Sequence, residues 1–117
     1  MAHLPNLSYD NLRDLMGTKS RKNVGYATVV TWEPRIRQFT IWHHNSAIAT
    51  IKRNRVEVSN AGWASVTTAD RMSSALKDNS CGVGVGITRG EMVFRDRASW
   101  NEYPVPHNRF VSFNSGK

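Results

Sequence analysis

Short runs of β-branched and aromatic residues, separated by turn-forming residues, fill the chain from residue 24 to residue 58. Runs of this length are short for helices, and their alternation of apolar and polar residues is typical of half-buried strands. The pattern therefore predicts a strand meander over residues 24–58, in which neighbouring strands are antiparallel. The predicted strands cover residues 24–32, 37–43, 47–51 and 56–58.

Two segments outside the meander carry helix signals. Residues 8–16 begin with Ser8, a favoured N-cap, and Gly17 stands where a helix often ends. Residues 67–77 place apolar side chains at helical spacing, and either of the two threonines at their start can cap the helix. The polar, basic residues 18–23 predict a connection between the first helix and the meander.

Residues 82–113 predict a hairpin and one further strand. Apolar residues alternate with glycine as far as Ile87, a turn at Gly90 follows, and residues 109–113 are typical of a last strand. The sequence therefore predicts a single α+β domain over residues 1–117. We expect a mainly antiparallel sheet of about six or seven short strands with two short helices.

The three glycines at Gly82, Gly84 and Gly86 fall at period two. This spacing excludes the dinucleotide fingerprint and the P-loop, because both need other spacings and a following helix. A strand with bare positions on one face fits the pattern better, and such positions let a ligand or another chain approach the backbone closely.

A formal charge of +7 favours an anionic partner, and 11 of the 16 cationic residues are Arg. Arginine binds phosphate through paired hydrogen bonds and stacks on rings, which favours recognition of a shaped anion. The alternative interpretation is that the excess charge serves solubility alone. No apolar run approaches the roughly 20 residues that cross a bilayer, so no membrane partner is expected. The single Cys81 excludes an internal disulfide and suits a reducing cytoplasm.

No motif in the sequence indicates catalysis or a metal site. His43 and His44 are neighbours in a predicted strand, so their rings should point to opposite faces, and His3 and His107 lie in predicted loops. Nothing beside Cys81 indicates a base that would make it a nucleophile. We expect no catalytic residues, no metal and no cofactor, and hence a protein that is not an enzyme.

The stretch from Asn60 to Arg71 is the most distinctive part of the chain. One interpretation is structural, with a turn at Asn60 and Trp63 filling a gap between sheet and helix. The functional interpretation uses the free N–H groups at a helix N-terminus to bind an anion, with Trp63 stacked on a base. The candidate ligand-binding residues are Arg71, Arg95, Arg97 and Arg109 for phosphates, Trp63 and Phe94 for a base or ribose, and Asn60 and Thr68 for hydrogen bonds.

Aromatic residues interleaved with arginines also suit single-stranded nucleic acid, whose bases stack on rings while a basic groove follows the backbone. This alternative is a basic nucleic-acid-binding regulatory protein. Its sheet surface would use Trp32, Trp42, Arg35, Arg37, Arg53 and Arg55.

The motif Asn60-Ala-Gly-Trp63, followed by Thr67-Thr-Ala-Asp-Arg71, resembles a group of small bacteriophage proteins with N-x-G-W and then T-T-x-D-R. The resemblance covers roughly residues 8–76, and no match extends beyond Cys81. Within this group the chain resembles the first-described Thoeris anti-defence family. That family's pocket residues do not align onto this chain, so the candidate residues above rest on chemistry alone.

The resemblance implies a non-enzymatic sponge that acts in the host bacterial cytoplasm. Such proteins bind a cyclic ADP-ribose isomer made by an immune TIR-domain enzyme, and some hold other cyclic nucleotides. They assemble as dimers or larger rings with ligand pockets between chains. The resemblance thus implies an anionic, nucleotide-derived ligand and self-association of this chain.

Overall fold

A computed structural model describes residues 4–63 and 65–116, so the expectation for His3 lies outside the described residues. The described residues form two helices and nine strands in two antiparallel sheets, which confirms the α+β fold with more strands than expected. The helices are α1 (Tyr9–Met16) and α2 (Val66–Asp78). The strands are β1 (Arg21–Gly25), β2 (Thr28–Glu33), β3 (Gln38–His43), β4 (Ser46–Ile51), β5 (Arg55–Val58), β6 (Val83–Thr88), β7 (Glu91–Asp96), β8 (Glu102–Pro104) and β9 (Val111–Asn114).

The larger sheet has the strand order β1-β2-β3-β4-β5-β9, so the meander is confirmed and the last strand closes beside β5. Its start was predicted wrongly. Strand β1 begins at Arg21, inside the expected connection 18–23, and a turn at Ala27 with φ 48° divides the expected strand 24–32. Strand β1 can contain basic residues because it lies at the edge of the sheet, where their side chains reach solvent. Exposed charges on an edge strand also discourage pairing with other chains.

The smaller sheet has the order β6-β7-β8 and includes the predicted hairpin. Strand β8 was not predicted, because its sequence Glu-Tyr-Pro is exposed and ends in proline. Proline lacks the N–H that a central strand needs, but it is tolerated at a sheet edge, where β8 lies. Helix α2 packs between the two sheets, against β6 on one side and against β4 and β5 on the other.

Helix α1 covers one end of the larger sheet and agrees with its prediction. The Ser8 hydroxyl accepts a hydrogen bond from the Asn11 N–H at 3.3 Å, and Gly17 follows the helix with φ 56°. The Tyr9 ring meets the rings of Trp32 and Phe39 at centroid distances of 6.4 and 5.4 Å. Trp32 therefore faces the core and is not part of a sheet surface that could bind nucleic acid.

Helix α2 begins one residue before the predicted start, and its N-cap is neither threonine. The Ser65 hydroxyl accepts from the Thr68 N–H at 3.2 Å, which makes Ser65 the cap. Thr68 lies inside the first turn and is buried, with its own hydroxyl oxygen 2.9 Å from that of Ser65. Among residues 4–63 and 65–116, no helix combines the length and apolar character that crossing a membrane requires.

Candidate functional site

A cavity of about 350 Å³ lies between α2 and the smaller sheet, and we call it the α2 cleft. One wall comes from the helix and the other from β6, β7 and the turn that follows β7. It brings two of the predicted arginines together with an exposed tryptophan. The lining residues are Ser73, Gly84, Val85, Arg95, Arg97 and Trp100.

Gly84 forms the floor of the α2 cleft. A Cβ atom at this position would lie 3.5 Å from the Ser73 Oγ and 3.7 Å from the Arg97 Nη2, so an alanine would fill the space between the floor and these polar groups. The Ser73 hydroxyl accepts from the Val85 N–H at 3.3 Å, which holds the helix against β6. Among the glycines spaced two residues apart, Gly84 therefore presents a position without a side chain to the α2 cleft.

The two arginines of the cleft differ in their freedom. Arg95 donates from Nε to the Glu102 Oε2 at 2.8 Å and also makes an ion pair with it through Nη2, so its guanidinium is held along the sheet. Arg97 is exposed, and no carboxylate of the described residues lies within 4.0 Å of it. Arg97 is therefore the cation that is free to bind an anion from solution.

Trp100 stands at the rim of the cleft with 73% of its surface exposed, and its φ is 63°. The same φ region occurs at other turn residues of this chain, such as Ala27 and His44, and here it belongs to the turn after β7. The turn is held by Asp96, whose Oδ1 accepts from the Ala98 N–H at 2.8 Å and the Ser99 N–H at 3.0 Å. The hydrogen bond from the Ser99 N–H, and after it the bond from the Ala98 N–H, lowers the pKa of the Asp96 carboxyl below its ordinary value.

The sequence-based choice of site residues did not include Trp100. A signal was present, because an aspartate such as Asp96 favours a side chain-to-backbone turn that can present a following aromatic residue. The sequence does not show how close that turn lies to α2.

A wider groove of about 730 Å³ continues from the α2 cleft along the helix, and the two cavities share Ser73 and Arg97. Arg71 and Lys77 add two cations to its lining, while Asp70 and Asp78 add two carboxylates. One carboxylate is engaged within the protein, because the Asp78 Oδ2 accepts from the Leu7 N–H at 2.8 Å. The Arg71 Nε donates to the Thr28 Oγ1 at 3.3 Å, which leaves the rest of its guanidinium for the groove.

Trp63 and Thr68 lie in a different cavity, at the N-terminal end of α2. It measures about 380 Å³ and is lined by Tyr26, His43, His44, Ile48, Trp63, Ser65, Thr67 and Thr68. Trp63 is 60% exposed, so it does not fill a gap between sheet and helix as the structural interpretation supposed. The structure thus separates these two candidates from Arg95 and Arg97.

The two adjacent histidines do not point to opposite faces, which corrects the expectation from strand geometry. Their ring centroids are 4.4 Å apart, because β3 ends at His43 and His44 turns away with φ 49°. Burial, then the charges of His44 and Arg71, lower the pKa of His43. Its Nδ1 lies 3.2 Å from the Thr28 Oγ1. Within the described part of the chain, no three His, Cys, Asp or Glu side chains come together as a metal site.

Three further candidates, Asn60, Phe94 and Arg109, line none of the three cavities described so far. The Asn60 Oδ1 accepts from the N–H groups of Gly62 and Asn108 at 2.9 and 2.8 Å, so this buried side chain joins a turn to the C-terminal loop. Phe94 is completely buried, and its ring packs against those of Tyr103 and Phe113, so it does not line the cleft. Arg109 is exposed and lines none of the cavities described above.

Cys81 lies in the loop between α2 and β6 and is half-buried. Burial raises the pKa of its thiol to about 11. A thiol with so high a pKa is protonated at neutral pH, which is the opposite of what a nucleophile requires.

Comparison with known proteins identifies a family over nearly the whole chain. The family model described as Kyanoviridae Gp96 protein matches residues 5–117. No curated protein and no solved structure gives a significant match. The chain belongs to the Kyanoviridae Gp96 protein family, a family of phage proteins.

Proposed function

We propose that this phage protein binds and sequesters an anionic, nucleotide-derived immune signal in the host bacterial cytoplasm without converting it. The observation that carries the proposal is the α2 cleft, which combines the free guanidinium of Arg97 with the exposed indole of Trp100 above a glycine floor. A guanidinium recognises phosphate through paired hydrogen bonds, and an indole stacks on a nucleobase.

The dimensions of the site support a ligand of nucleotide size. Small-molecule sites usually measure about 300–1,000 Å³, and the α2 cleft of about 350 Å³ lies in that range. The adjoining groove supplies Lys77 and Arg71 for a second anionic group. A cyclic ADP-ribose isomer and a cyclic oligonucleotide both carry a ring system and more than one phosphate. Either ligand fits a site with one stacking residue and two separate groups of cations.

Membership of a phage family supports a role inside the infected host, and the N-x-G-W…T-T-x-D-R resemblance supports an immune signal as the ligand. The same resemblance supports self-association as a dimer or larger ring. The cleft lining also favours binding without turnover, because its one hydroxyl nucleophile, Ser73, accepts from the Val85 N–H and no histidine lines the cleft. Nucleophilic catalysis needs a base beside the nucleophile.

Titration calorimetry with cyclic ADP-ribose isomers and with cyclic dinucleotides tests the proposal. We expect binding by the native protein and a loss of about tenfold or more for Arg97→Ala and for Trp100→Ala, since a charged contact or a stacked base contributes about 1–3 kcal/mol. Arg109→Ala is the matched control, because it removes an exposed arginine away from the cavities.

Release of bound small molecules by heat, followed by mass spectrometry, completes the test. Protein purified from cells that make the immune signal should release that signal intact. The proposal fails if no ligand of either class gives heat at micromolar protein, or if the cleft variants bind as well as the Arg109→Ala control. Recovery of a cleaved product would indicate an enzyme.

Nucleic-acid binding is the second candidate, and a hollow of about 470 Å³ on the larger sheet favours it. Arg21 and Trp42 line this hollow, although Trp32 faces the core. Phosphate contacts release counterions, so oligonucleotide affinity would fall steeply with salt. Binding in the α2 cleft should depend less on salt, and Trp42→Ala should leave it unchanged.

A further inference from the structure

One row of polar side chains runs across the outer face of the larger sheet, the face turned away from the helices. The strand register pairs Arg21 with Thr31 and Thr31 with Thr40. It then pairs Thr40 with Thr50 and Thr50 with Glu57. We call this set the cross-sheet row. Side chains alternate between faces along a strand, and the residues next to the row, such as Val30 and Val56, are buried on the inner face.

The cross-sheet row has a positive end and a negative end. Arg21 is exposed on β1, and Glu57 lies half-buried on β5, where its Oε1 accepts from the Thr50 hydroxyl at 3.2 Å. Within residues 4–63 and 65–116, no opposite charge lies within 4.0 Å of either side chain. Four strand spacings of about 4.8 Å separate them by roughly 19 Å, beyond the screening length at physiological salt, so they do not neutralise each other.

This arrangement is complementary to itself. If two copies stack their outer faces about a two-fold axis that runs parallel to β3, β1 of each copy lies opposite β5 of the other at the same level. Arg21 then meets Glu57 of the second copy, and the contact occurs twice. Thr31 meets Thr50, while Thr40, which is already buried within each copy, lies on the axis. We propose that the outer face is the surface through which two copies of this chain associate.

The side chains beside the row suit the centre of such an interface. Val29, Trp42 and Ala47 are half-buried and pair across β2, β3 and β4 on the same face. The Trp42 indole donates to the Thr31 Oγ1 at 2.8 Å, which fixes the ring. Apolar and aromatic residues at the centre with charges at the rim are typical of protein interfaces.

The hydroxyls of the row already have partners within the chain. Thr31 accepts from Trp42, Thr40 accepts from the Gln38 amide at 3.2 Å, and Thr50 donates to Glu57. A polar group that keeps its hydrogen bond loses less when it is covered than one left unpaired. The cross-sheet row can therefore be buried without leaving its hydroxyl groups unpaired.

The area of the face sets the expected strength of association. The five strands β1 to β5 overlap about an axis on β3 and span about 19 Å, and strands of about five residues are about 17 Å long, which gives a projected area of roughly 330 Å² for each copy. The total for two copies is below the roughly 1,200 Å² that stable specific interfaces bury, so we expect a weak, transient dimer whose dissociation constant rises with salt.

Sedimentation velocity over about 1–200 µM protein, with charge-swap variants, tests this inference. We expect the native chain to dimerise. Arg21→Glu and Glu57→Arg should each weaken the dimer about tenfold or more, because each places two like charges together. The double variant Arg21→Glu/Glu57→Arg should restore the dimer. Arg89→Glu, which makes the same charge change in the β6–β7 turn, is the control.

The inference is overturned if the native chain stays monomeric, if the single swaps leave its association unchanged, or if the double variant does not restore it. If the native chain is monomeric and binds oligonucleotides, and Arg21→Glu abolishes that binding, the outer face belongs to nucleic acid instead. Circular dichroism checks that each variant folds. The inference rests on the self-association in the proposed function and not on ligand binding, so Arg97→Ala should keep the dimer while losing the ligand.

Discussion

At the scale of single residues, the amide of Asn79 joins the segment before α1 to the end of α2. Its Oδ1 accepts from the Tyr9 N–H at 3.0 Å, and its Nδ2 donates to the Leu7 carbonyl at 3.0 Å and the Ala75 carbonyl at 2.7 Å. All three bonds are buried. A buried backbone group left without a partner costs free energy, so this one side chain stabilises a contact between segments about 70 residues apart.

Asn79→Ala should lower the free energy of unfolding by about 2–4 kcal/mol, because it leaves the Tyr9 N–H and the Leu7 carbonyl unpaired. Urea denaturation measures the change. Asn114→Ala, at an exposed position of β9, is the control and should stay within about 0.5 kcal/mol of the native protein. A cost below about 1 kcal/mol for Asn79→Ala would contradict this role.

The thiol of Cys81 should react slowly at neutral pH. Burial raises its pKa from the ordinary value of 9.0 to about 11, so the thiolate fraction near pH 8 falls about a hundredfold. Alkylation by iodoacetamide should speed up with pH as far as about pH 11. The chain unfolded in guanidinium provides the control and should react about a hundredfold faster at pH 8. Equal rates for the folded and unfolded chains would contradict the shift.

Asn79 and Cys81 lie between the predicted helix 67–77 and the predicted hairpin region 82–113, where the sequence indicates no structural role for either residue. For Cys81 the expectation of an unreactive thiol agrees with its raised pKa. For Asn79 no local signal exists, because asparagine is common in loops and its partners Leu7 and Tyr9 are distant in sequence.

At the scale of elements, the start of α2 shows where a local pattern is ambiguous. Ser65, Thr67 and Thr68 are all favoured N-cap residues, and apolar spacing alone does not choose among them. The chain enters the helix from the Asn60 turn, and its backbone is extended at Ser65, with φ −103° and ψ 157°. That geometry makes Ser65 the cap.

Ser65→Ala should therefore lower the free energy of unfolding by about 1 kcal/mol, whereas Thr67→Ala should have almost no effect. The two substitutions each remove one hydroxyl from an exposed position, which makes the second a matched control. Thermal and urea denaturation both measure the difference. A larger loss for Thr67→Ala would show that the cap predicted from the sequence is the true one.

At the scale of the whole molecule, Phe94 connects the two sheets. Its ring lies 5.4 Å from that of Tyr103 in β8 and 5.1 Å from that of Phe113 in β9, as measured between centroids. It is completely buried, whereas Trp100 a few residues later is the most exposed large apolar side chain of the described residues. Both residues are aromatic and close in sequence, yet one belongs to the core and the other to the cleft.

Phe94→Ala should lower the free energy of unfolding by about 3–5 kcal/mol, because it leaves a cavity between the sheets. Trp100→Ala should change it by about 0.5 kcal/mol or less and reduce ligand binding instead. Denaturation followed by far-ultraviolet and near-ultraviolet circular dichroism should give one coincident transition for the native chain. Equal destabilisation by both substitutions would contradict the division between core and cleft.

Features with local evidence can be read from the amino-acid sequence: α1 with its serine cap and glycine end, the meander, the hairpin at Gly90, and the excess of arginine. The sequence also indicated Arg95 and Arg97 as candidates. Packing between distant elements places these arginines against α2 beside Trp100, turns Phe94 inward, and assigns Trp63 to a separate cavity. Periodicity reports the two faces of a strand, but which face meets the helix depends on packing between elements distant in sequence.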